Sequence, residues 1–249
     1  MPKQKRATVL VERYRKEATT GVNENSYKGL NIFALPGLHE FIASKAVEYF
    51  VPEATLLDIA ACTGALSVRM QDLGFQVSAI DYLPEIFCVD SVSFKQADLN
   101  DAFSKAYTKR FQAIIASEII EHLENPHHFA RECFKLLKPG GRMVLSTPNV
   151  ENAVSKALFI RSSFFMWFSE KDYEGEGHIT PLTQSQIHKV FSEAGFLFRW
   201  EGSFGDGADR IIENSEQLKL LTRLVRSFST VEDQLAREIY VAVLERPVA

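Results

Sequence analysis

Segments with helical spacing of apolar residues alternate along this chain with short apolar runs. Apolar residues recur every three or four positions in 37–50, 64–73, 126–137 and 183–195, which predicts helices. Apolar runs at 54–60, 75–81, 91–98, 111–117, 142–148, 196–202 and 238–245 predict strands, with a short helix between the second and the third. Strands that alternate with helices in this way indicate an α/β fold with a largely parallel, doubly wound sheet.

The composition is that of an ordinary globular protein, and it limits what the chain can bind. The 249 residues suit one α/β domain, and a formal net charge of −4 argues against a general nucleic-acid binder. Cys62, Cys88 and Cys133 have no paired spacing, so neither a disulfide framework nor a cysteine zinc site is expected. The same cysteines make a reducing cytoplasm the expected location. No apolar run reaches membrane-spanning length, and the basic N-terminus lacks the apolar core of a signal peptide.

Polar or acidic residues stand at the ends of four predicted strands. Asp58 and Asp81 end the first and second strands, Asp98 follows the third, and Ser117 and Glu118 follow the fourth. Ligands of doubly wound sheets bind beyond the carboxyl ends of the strands, where the strand order reverses. Together these residues predict a pocket for hydroxyl groups and cations. The alternatives are that Asp58 only caps the following helix and that Asp98 is an ordinary helix cap.

The turn after the first strand, AACTGA at 60–65, contains Gly64 but lacks the further glycines of a dinucleotide-binding turn. A pyrophosphate must approach the backbone closely in such a turn, and a side chain at Ala60 or Cys62 would crowd it. S-adenosylmethionine has no phosphate, so it tolerates a fuller turn. Asp58 can serve its ammonium group and Asp81 both of its ribose hydroxyls. No GxxxxGK[ST] stretch is present, which argues against a nucleoside-triphosphate site.

Taken in order, these motifs resemble those of the class I S-adenosylmethionine-dependent methyltransferases. LLDIAACTGA (56–65) is similar to the first motif of that family, AIDYLPE (79–85) to the second, and QADLND (96–101) to the adenine-side loop. Later segments that also resemble the family are FQAIIASEIIEHLENP (111–126), LLKPGGRMVLSTPN (136–149) and GHITPLTQSQIHKVFSEAGF (177–196). The sequence departs from the family pattern where Ala60 and Cys62 replace glycines and where Gln112 replaces an aspartate found in many relatives.

The resemblance implies a Rossmann-like sheet of seven strands, the last of them antiparallel, with helices on both faces. It implies S-adenosylmethionine as the cofactor and S-adenosylhomocysteine as the product. The implied cofactor contacts are Asp58, Ala60, Ala61, Cys62, Thr63, Gly64, Asp81, Tyr82, Asp98, Leu99, Ser117 and Glu118. Residues 1–36 then form an N-terminal arm and 37–249 the methyltransferase domain, with an insertion at about 150–182. The arm is predicted to be a solvated helix, the alternative being an amphipathic helix on an acidic surface.

The segment SEIIEHLENP (117–126) carries the candidate catalytic residues. Glu118 and His122 are four residues apart, so a helical turn would place them on one face beside the cofactor. His122 is the candidate general base for a hydroxyl proton; the alternative is that its ring bonds backbone carbonyls and forms a pocket wall. Glu118, Glu121 and His122 also have the donor atoms of a divalent-metal site, as in some quinone O-methyltransferase relatives, although no metal is predicted.

The segment 154–181 fits no regular strand–helix unit and is predicted to form a lid over the acceptor. Phe165, Trp167 and Tyr173 are candidates for contacts with the acceptor, and His178 for a second proton acceptor or a hydrogen-bond donor to it. The Glu-Gly-Glu-Gly run at 174–177 is the candidate hinge. The alternative is that FFMWF (164–168) packs onto the sheet as core.

The sequence therefore predicts an S-adenosylmethionine-dependent methyltransferase that acts on a small-molecule or glycan-type acceptor. The reaction is direct attack of an acceptor atom on the sulfonium methyl group, so alignment and exclusion of water are the main tasks. Three alternatives stay open: a non-catalytic module that binds S-adenosylmethionine, a dinucleotide-dependent oxidoreductase and an aminopropyltransferase. No nucleic-acid partner is expected.

Overall fold

The computed structural model describes residues 23–230, 232 and 235–248. This part begins with a hairpin of two short strands, β1 (Ser26–Tyr27) and β2 (Leu30–Asn31). Most of the predicted N-terminal arm, residues 1–22, lies outside the described residues, so its helix stays a prediction.

The other described strands form one seven-stranded sheet. They are β3 (Thr55–Ile59), β4 (Gln76–Asp81), β5 (Ser93–Gln96), β6 (Phe111–Ser117), β7 (Leu137–Pro148), β8 (Leu197–Phe204) and β9 (Ile239–Glu245). The described α-helices are α1 (Leu38–Tyr49), α2 (Ala65–Asp72), α3 (Pro126–Leu136), α4 (Ala153–Ser162), α5 (Glu170–Gly175), α6 (Gln184–Ala194), α7 (Ala208–Ile211) and α8 (Glu216–Phe228). Short 3-10 helices span Phe103–Ala106 and Ile120–His122. Among the described residues, no helix combines the length and the apolar character needed to cross a bilayer.

The order of strands in the sheet is β5-β4-β3-β6-β7-β9-β8. β3 pairs in parallel with β4 and β6, while β9 runs antiparallel between β7 and β8. The predicted doubly wound, mostly parallel sheet with an antiparallel last strand is therefore confirmed. The chain builds outward from β3 to β5 and then crosses back to β6, so the order reverses between β3 and β6. The loops after β3, β4 and β6 consequently meet at one edge of the sheet.

Alternate residues of the central strands pack on opposite faces of the sheet. Leu57 and Ile59 of β3 belong to a buried cluster that includes Phe129 of α3, whereas Leu56 belongs to the cluster beneath α1 and α2. Because both faces are covered, the central strands read as nearly continuous apolar runs, which is why they were visible in the sequence. A third, smaller cluster joins α4 to α8 through Ala157 and Leu218.

The segment between β4 and β5 differs from the expectation. The predicted short helix is absent, and residues 82–92 form turns and irregular structure. The Asp81 side chain accepts a hydrogen bond from the backbone N–H of Leu83 at 3.0 Å, and Pro84 follows directly. The residue before a proline avoids helical backbone, and the aspartate offers the chain a turn instead. The backbone therefore turns where the helix was expected to begin.

Candidate functional site

The turn between β3 and α2 has left-handed backbone at alternate residues. The φ angle is +63° at Ala60, +49° at Cys62 and +88° at Gly64. Left-handed backbone favours glycine, which gives a physical reason for the glycines that relatives carry at the first two positions. A Cβ atom on Gly64 would lie 2.4 Å from Cγ2 of Val89, so this position has room only for glycine. The turn thus adopts a glycine-type backbone with two non-glycine residues in it.

Neighbouring segments hold this turn through Thr63. The Thr63 hydroxyl donates to the carbonyl oxygen of Asn31, in β2, at 2.7 Å. The Thr63 carbonyl accepts from the backbone N–H of Cys88 at 3.2 Å. The hairpin and the segment after β4 therefore fix the turn from two sides.

Asp81 is the last residue of β4 and lies beside the turn. Its Oδ2 accepts from the backbone N–H of Cys62 at 2.8 Å, and its Oδ1 accepts from that of Leu83 at 3.0 Å. Asp81 is only 9% exposed, and burial raises the pKa of its carboxyl although the backbone hydrogen bonds act in the opposite direction. Each carboxylate oxygen has a second lone pair. The side chain can therefore still accept hydrogen bonds from two hydroxyl groups of a ligand.

Asp58 is buried near the end of β3. Its Oδ2 accepts from the Ser67 hydroxyl at 2.6 Å, whereas the N-cap of α2 is Gly64, which makes no side-chain capping bond. The alternative that Asp58 caps this helix is therefore wrong. Burial raises the pKa of Asp58 to about 7, against the opposing effect of the Ser67 hydrogen bond, and the nearby Asp81 raises it further. A cation placed beside Asp58 would favour its ionised form.

The remaining predicted cofactor residues lie along the same edge. Asp98 accepts through Oδ1 from the backbone N–H of Asn100 at 2.9 Å, so its carboxylate is engaged within its own turn, and its adenine contact stays a prediction. Tyr82 is exposed and Leu99 is buried. The Ser117 hydroxyl lies 3.2 Å from that of Ser146 on the neighbouring strand β7.

Glu118 does not share a helical face with His122, contrary to the prediction. It precedes the 3-10 helix that spans Ile120–His122, and its φ of +50° sets it outside any helix. Its Oε1 accepts from the Ser146 hydroxyl at 2.9 Å, and burial raises its pKa to about 7. The chain turns sharply at Glu118, so the helical spacing used in the prediction does not apply.

Glu121 is the most deeply buried acid on this side of the sheet edge. Its Oε2 accepts from the Thr147 hydroxyl at 2.9 Å, while its Oε1 has no hydrogen-bond partner among the described residues. Burial, followed by repulsion from Glu118, raises the pKa of Glu121 well above its usual value. A buried carboxylate oxygen without a partner is uncommon and marks a place where a ligand can donate a hydrogen bond.

His122 and His178 form a pair of half-buried imidazoles with ring centroids 4.8 Å apart. Burial, then the neighbouring His178, lowers the pKa of His122 to about 3, although hydrogen bonds with the backbone at Gly177 and Glu176 act the other way. Those backbone bonds agree with the alternative in which His122 forms a pocket wall. The Nδ1 of His178 lies 2.6 Å from the Trp167 carbonyl. A carbonyl only accepts, so Nδ1 carries the proton and Nε2 keeps the lone pair.

Glu121, His122 and His178 each place one potential ligand atom within 4.8 Å of the others. One carboxylate and two imidazoles suit a transition metal such as zinc better than magnesium. This set differs from the alternative considered in the sequence, because His178 takes the place of Glu118. That no metal binds here stays a prediction.

The insertion after β7 is helical and is partly packed as core. Met166 is buried in the cluster that joins α4 and α8, and Trp167 packs against that cluster. Phe165 stacks on Phe159 with a centroid distance of 4.4 Å. The alternative that residues 164–168 are core therefore holds for Met166. Met166 packs in the third cluster, however, and not on the face of the sheet.

Other residues of the insertion face the imidazole pair or solvent. The Phe168 ring lies 5.5 Å from that of His178, and Tyr173 on α5 is exposed. The insertion follows β7, which lies on the opposite side of β3 from β4 and β5. It is thus placed away from the loops predicted to bind adenine, and its role in acceptor binding stays a prediction.

Three hydroxyl residues that hold the site carboxylates were not predicted from the sequence. Ser67 binds Asp58, while Ser146 and Thr147 donate to the two glutamates after β6. For Ser146 and Thr147 a signal existed, because they are polar residues at the end of the apolar run of β7, at the edge where ligands bind. For Ser67, a serine between Leu66 and Val68 inside helix α2, no such signal existed.

Comparison with known proteins agrees with this geometry. Residues 36–198 match the model of the family described as methyltransferase domain. The chain belongs to the methyltransferase domain family. Membership confirms the resemblance found in the sequence to the class I S-adenosylmethionine-dependent methyltransferases.

Curated O-methyltransferases are similar to part of this chain. The chain is 36% identical over 105 residues to the ubiquinone biosynthesis O-methyltransferase of Xanthomonas oryzae pv. oryzae. The aligned segment covers 39% of this chain and 44% of the relative. The enzyme of the same name from Caulobacter vibrioides is 36% identical over 103 residues, which covers 38% of this chain and 41% of the relative. The chain thus spans less than half the length of the curated relatives it matches.

Solved structures resemble this methyltransferase domain over most of its length. An S-adenosylmethionine-dependent methyltransferase from Archaeoglobus fulgidus superimposes with a TM-score of 0.56 at 15% identity, covering 83% of this chain and 94% of that one. The [4+2]-cyclase SpnF superimposes with a TM-score of 0.59 at 16% identity, covering 97% of this chain and 94% of that one. At these identities the likeness shows the fold alone.

Proposed function

We propose that this protein binds S-adenosylmethionine and transfers its methyl group to an oxygen atom of a small-molecule acceptor. The observation that carries the proposal is the position of Asp81, a buried carboxylate with free lone pairs at the edge where the strand order reverses. Membership in the methyltransferase domain family makes S-adenosylmethionine the expected ligand of this edge.

The residues at the cofactor end fit a ribose and an ammonium group. Asp81 can accept from both ribose hydroxyls, because its two backbone hydrogen bonds use only one lone pair of each oxygen. Burial raises the pKa of Asp58 to about 7, so an ammonium group beside it gains a favourable interaction when the carboxyl ionises. Neither contact needs the close backbone approach that a pyrophosphate needs.

At the acceptor end, bound S-adenosylmethionine supplies a methyl group that is already activated by the sulfonium charge. The chain's own task is then to align the acceptor, to exclude water and to take up a proton. His178 has an unprotonated Nε2, and burial keeps its imidazole neutral by lowering its pKa. We take His178 as the first candidate base and His122 as the second, because the His122 ring is hydrogen-bonded to the backbone at Gly177 and Glu176.

The class of acceptor rests on the names of the relatives and on the aromatic insertion. The curated relatives are O-methyltransferases of ubiquinone biosynthesis, which favours a hydroxyl acceptor. Phe168 lies beside His178, where its ring can stack on an aromatic acceptor that presents a hydroxyl to Nε2. A glycan precursor is the alternative acceptor, since it too presents hydroxyl groups.

Two observations favour a second candidate function, a module that binds S-adenosylmethionine without transferring a methyl group. Ala60 and Cys62 place Cβ atoms on a turn where relatives have glycines, and Asp98 is engaged within its own turn. Both features can move the methionine end away from the position that transfer needs.

Asp81→Asn tests the proposal, with Asp90→Asn as the matched control in the same segment. Asp90 is exposed, so its replacement should leave the cofactor affinity unchanged. Asp81→Asn should weaken S-adenosylmethionine binding in calorimetry at least about tenfold, the expected effect of losing a charge-assisted bond. Equal affinities in both variants would reject the ribose site.

Methyl transfer is then measured with tritiated S-adenosylmethionine on phenols, catechols and sugar alcohols. Label on an acceptor oxygen, lost in Asp81→Asn and kept in Asp90→Asn, supports the proposed enzyme. Binding without transfer to any acceptor supports the non-catalytic module, and absence of binding rejects both.

A further inference from the structure

We propose that α7 and α8 enclose a second ligand site, which binds an organic molecule through a phosphate group. A cavity of about 400 Å³ lies between these helices. Ligand sites for small molecules usually measure roughly 300–1,000 Å³, so the cavity is large enough for one. None of its lining residues belongs to the cofactor or acceptor residues described above.

Four cationic side chains line the cavity: Arg210, Lys219, Arg223 and Arg226. The last three recur at i, i+4 and i+7 on α8, so the helix places them on one face. Two acids, Asp209 and Glu213, also line it, which leaves an excess of positive charge. An anionic ligand suits this lining.

Not all of these cations are neutralised within the protein. Arg226 pairs with Asp209 at 2.7 Å, and Lys219 pairs with Glu216 at 2.8 Å. Arg210 donates through Nε to the Gly207 carbonyl at 3.3 Å. Among the described residues, neither Arg210 nor Arg223 has an ion-pair partner. A guanidinium group matches the oxygens of a phosphate in a bidentate geometry, which makes these two the main binding groups.

A second feature of the cavity points to a ligand independently of charge. Thr222 lines it and is only 1% exposed, and its Oγ1 has no hydrogen-bond partner among the described residues. Buried hydroxyl groups nearly always have a partner. The Thr222 hydroxyl can therefore donate a hydrogen bond to an oxygen of a ligand in this cavity.

The apolar part of the cavity wall indicates that the phosphate belongs to an organic molecule. The buried side chain of Ile212 lines the same cavity, and it offers an apolar contact that inorganic phosphate does not need. Leu218, one turn before Thr222 on α8, packs with Ile212 in the cluster that contains Met166 of the insertion. The site therefore lies on the helix that supports the predicted acceptor lid.

The test is calorimetric titration of the purified protein with phenyl phosphate, compared with phenol and inorganic phosphate. Arg223→Gln and Arg210→Gln should each weaken phenyl phosphate binding about tenfold or more, as loss of a charged hydrogen bond does. The matched control is Arg131→Gln, an exposed arginine of α3 that has no ion-pair partner among the described residues. Phenol should bind much more weakly than phenyl phosphate.

Thr222→Val should also weaken phenyl phosphate binding, whereas Thr222→Ser should restore it. Vesicles of phosphatidylglycerol, compared with phosphatidylcholine, distinguish a phospholipid headgroup from a free organic phosphate. Vesicle binding that Arg223→Gln abolishes, without binding of phenyl phosphate, would assign the same site to lipid. Failure of both probes, or equal losses in Arg223→Gln and Arg131→Gln, would overturn the phosphate site.

Discussion

Replacing Ala60 by glycine should give a more stable protein than the same replacement at Ala61. The two alanines are neighbours in one turn, but only Ala60 has a positive φ, +63°. Left-handed backbone costs a non-glycine residue about 1–2 kcal/mol, a cost that glycine avoids. Any new glycine also loses about 0.5–1 kcal/mol through backbone entropy, and this loss is common to both variants. Ala60→Gly should therefore exceed Ala61→Gly in free energy of unfolding by about 1–2 kcal/mol.

The difference can be measured by urea unfolding followed by circular dichroism, with equal slopes required for the two variants. In thermal unfolding the same difference corresponds to about 2–8 °C in Tm for a chain of this size. S-adenosylmethionine affinity should stay within roughly tenfold of the wild type in Ala60→Gly, because no phosphate is accommodated at the turn. NAD binding should not appear. Equal destabilisation by the two replacements would show that the turn carries no left-handed strain at Ala60.

Three further predictions follow from the site. Gly64→Ala should destabilise the protein by about 1–3 kcal/mol more than Gly74→Ala in urea unfolding, because both have positive φ but only at Gly64 would the added methyl clash, 2.4 Å from a valine. Burial raises the pKa of the Asp58 carboxyl to about 7, whereas in the unfolded chain it is about 4. Between about pH 4 and pH 7 the native state therefore holds a carboxyl proton that the unfolded state has lost, and the contribution of Asp58 to stability falls as pH rises through that window. Asp58→Asn should therefore gain stability relative to the wild type between pH 4 and pH 8, by at most about 4 kcal/mol, and a constant difference would contradict this. His178→Ala should lower kcat about 10²-fold with cofactor affinity unchanged, and His122→Ala only a few-fold; the reverse order would return the role of base to His122.

Most of the sheet could be predicted because its strands are buried on both faces. β6 occupies 111–117 as predicted, and β3, β4 and β9 fall within one residue of their predicted ends. The helix expected after β4 was wrong because the Asp81 side chain and Pro84 together favour a turn. The helix α8 was not predicted, although Leu218, Leu221 and Val225 have helical spacing.

At the candidate site, the places of the acidic residues in the fold could be predicted better than the side chains that surround them. Asp58 and Asp81 were found because strand ends at a topological switch point are readable from the order of elements. Their burial, and the serine hydroxyl that holds Asp58, depend on packing between distant segments and left no local signal. Glu118 was misplaced because a positive φ at a non-glycine residue cannot be read from helical spacing. The pairing of His122 with His178 joins residues from separate segments, so only the fold could show it.

The position of β9 has a consequence for synthesis on the ribosome. β9 is buried along its whole length and pairs with β7 on one side and β8 on the other, while β8 has no other neighbour among the described strands. During translation, β8 therefore cannot join the sheet until residues 239–245 have left the exit tunnel. Until then β7 exposes an unpaired apolar edge, which other chains can bind. A ribosome stalled before residues 239–245 have emerged from the exit tunnel should hold a nascent chain that depends on chaperones, and emergence of these residues should end that dependence.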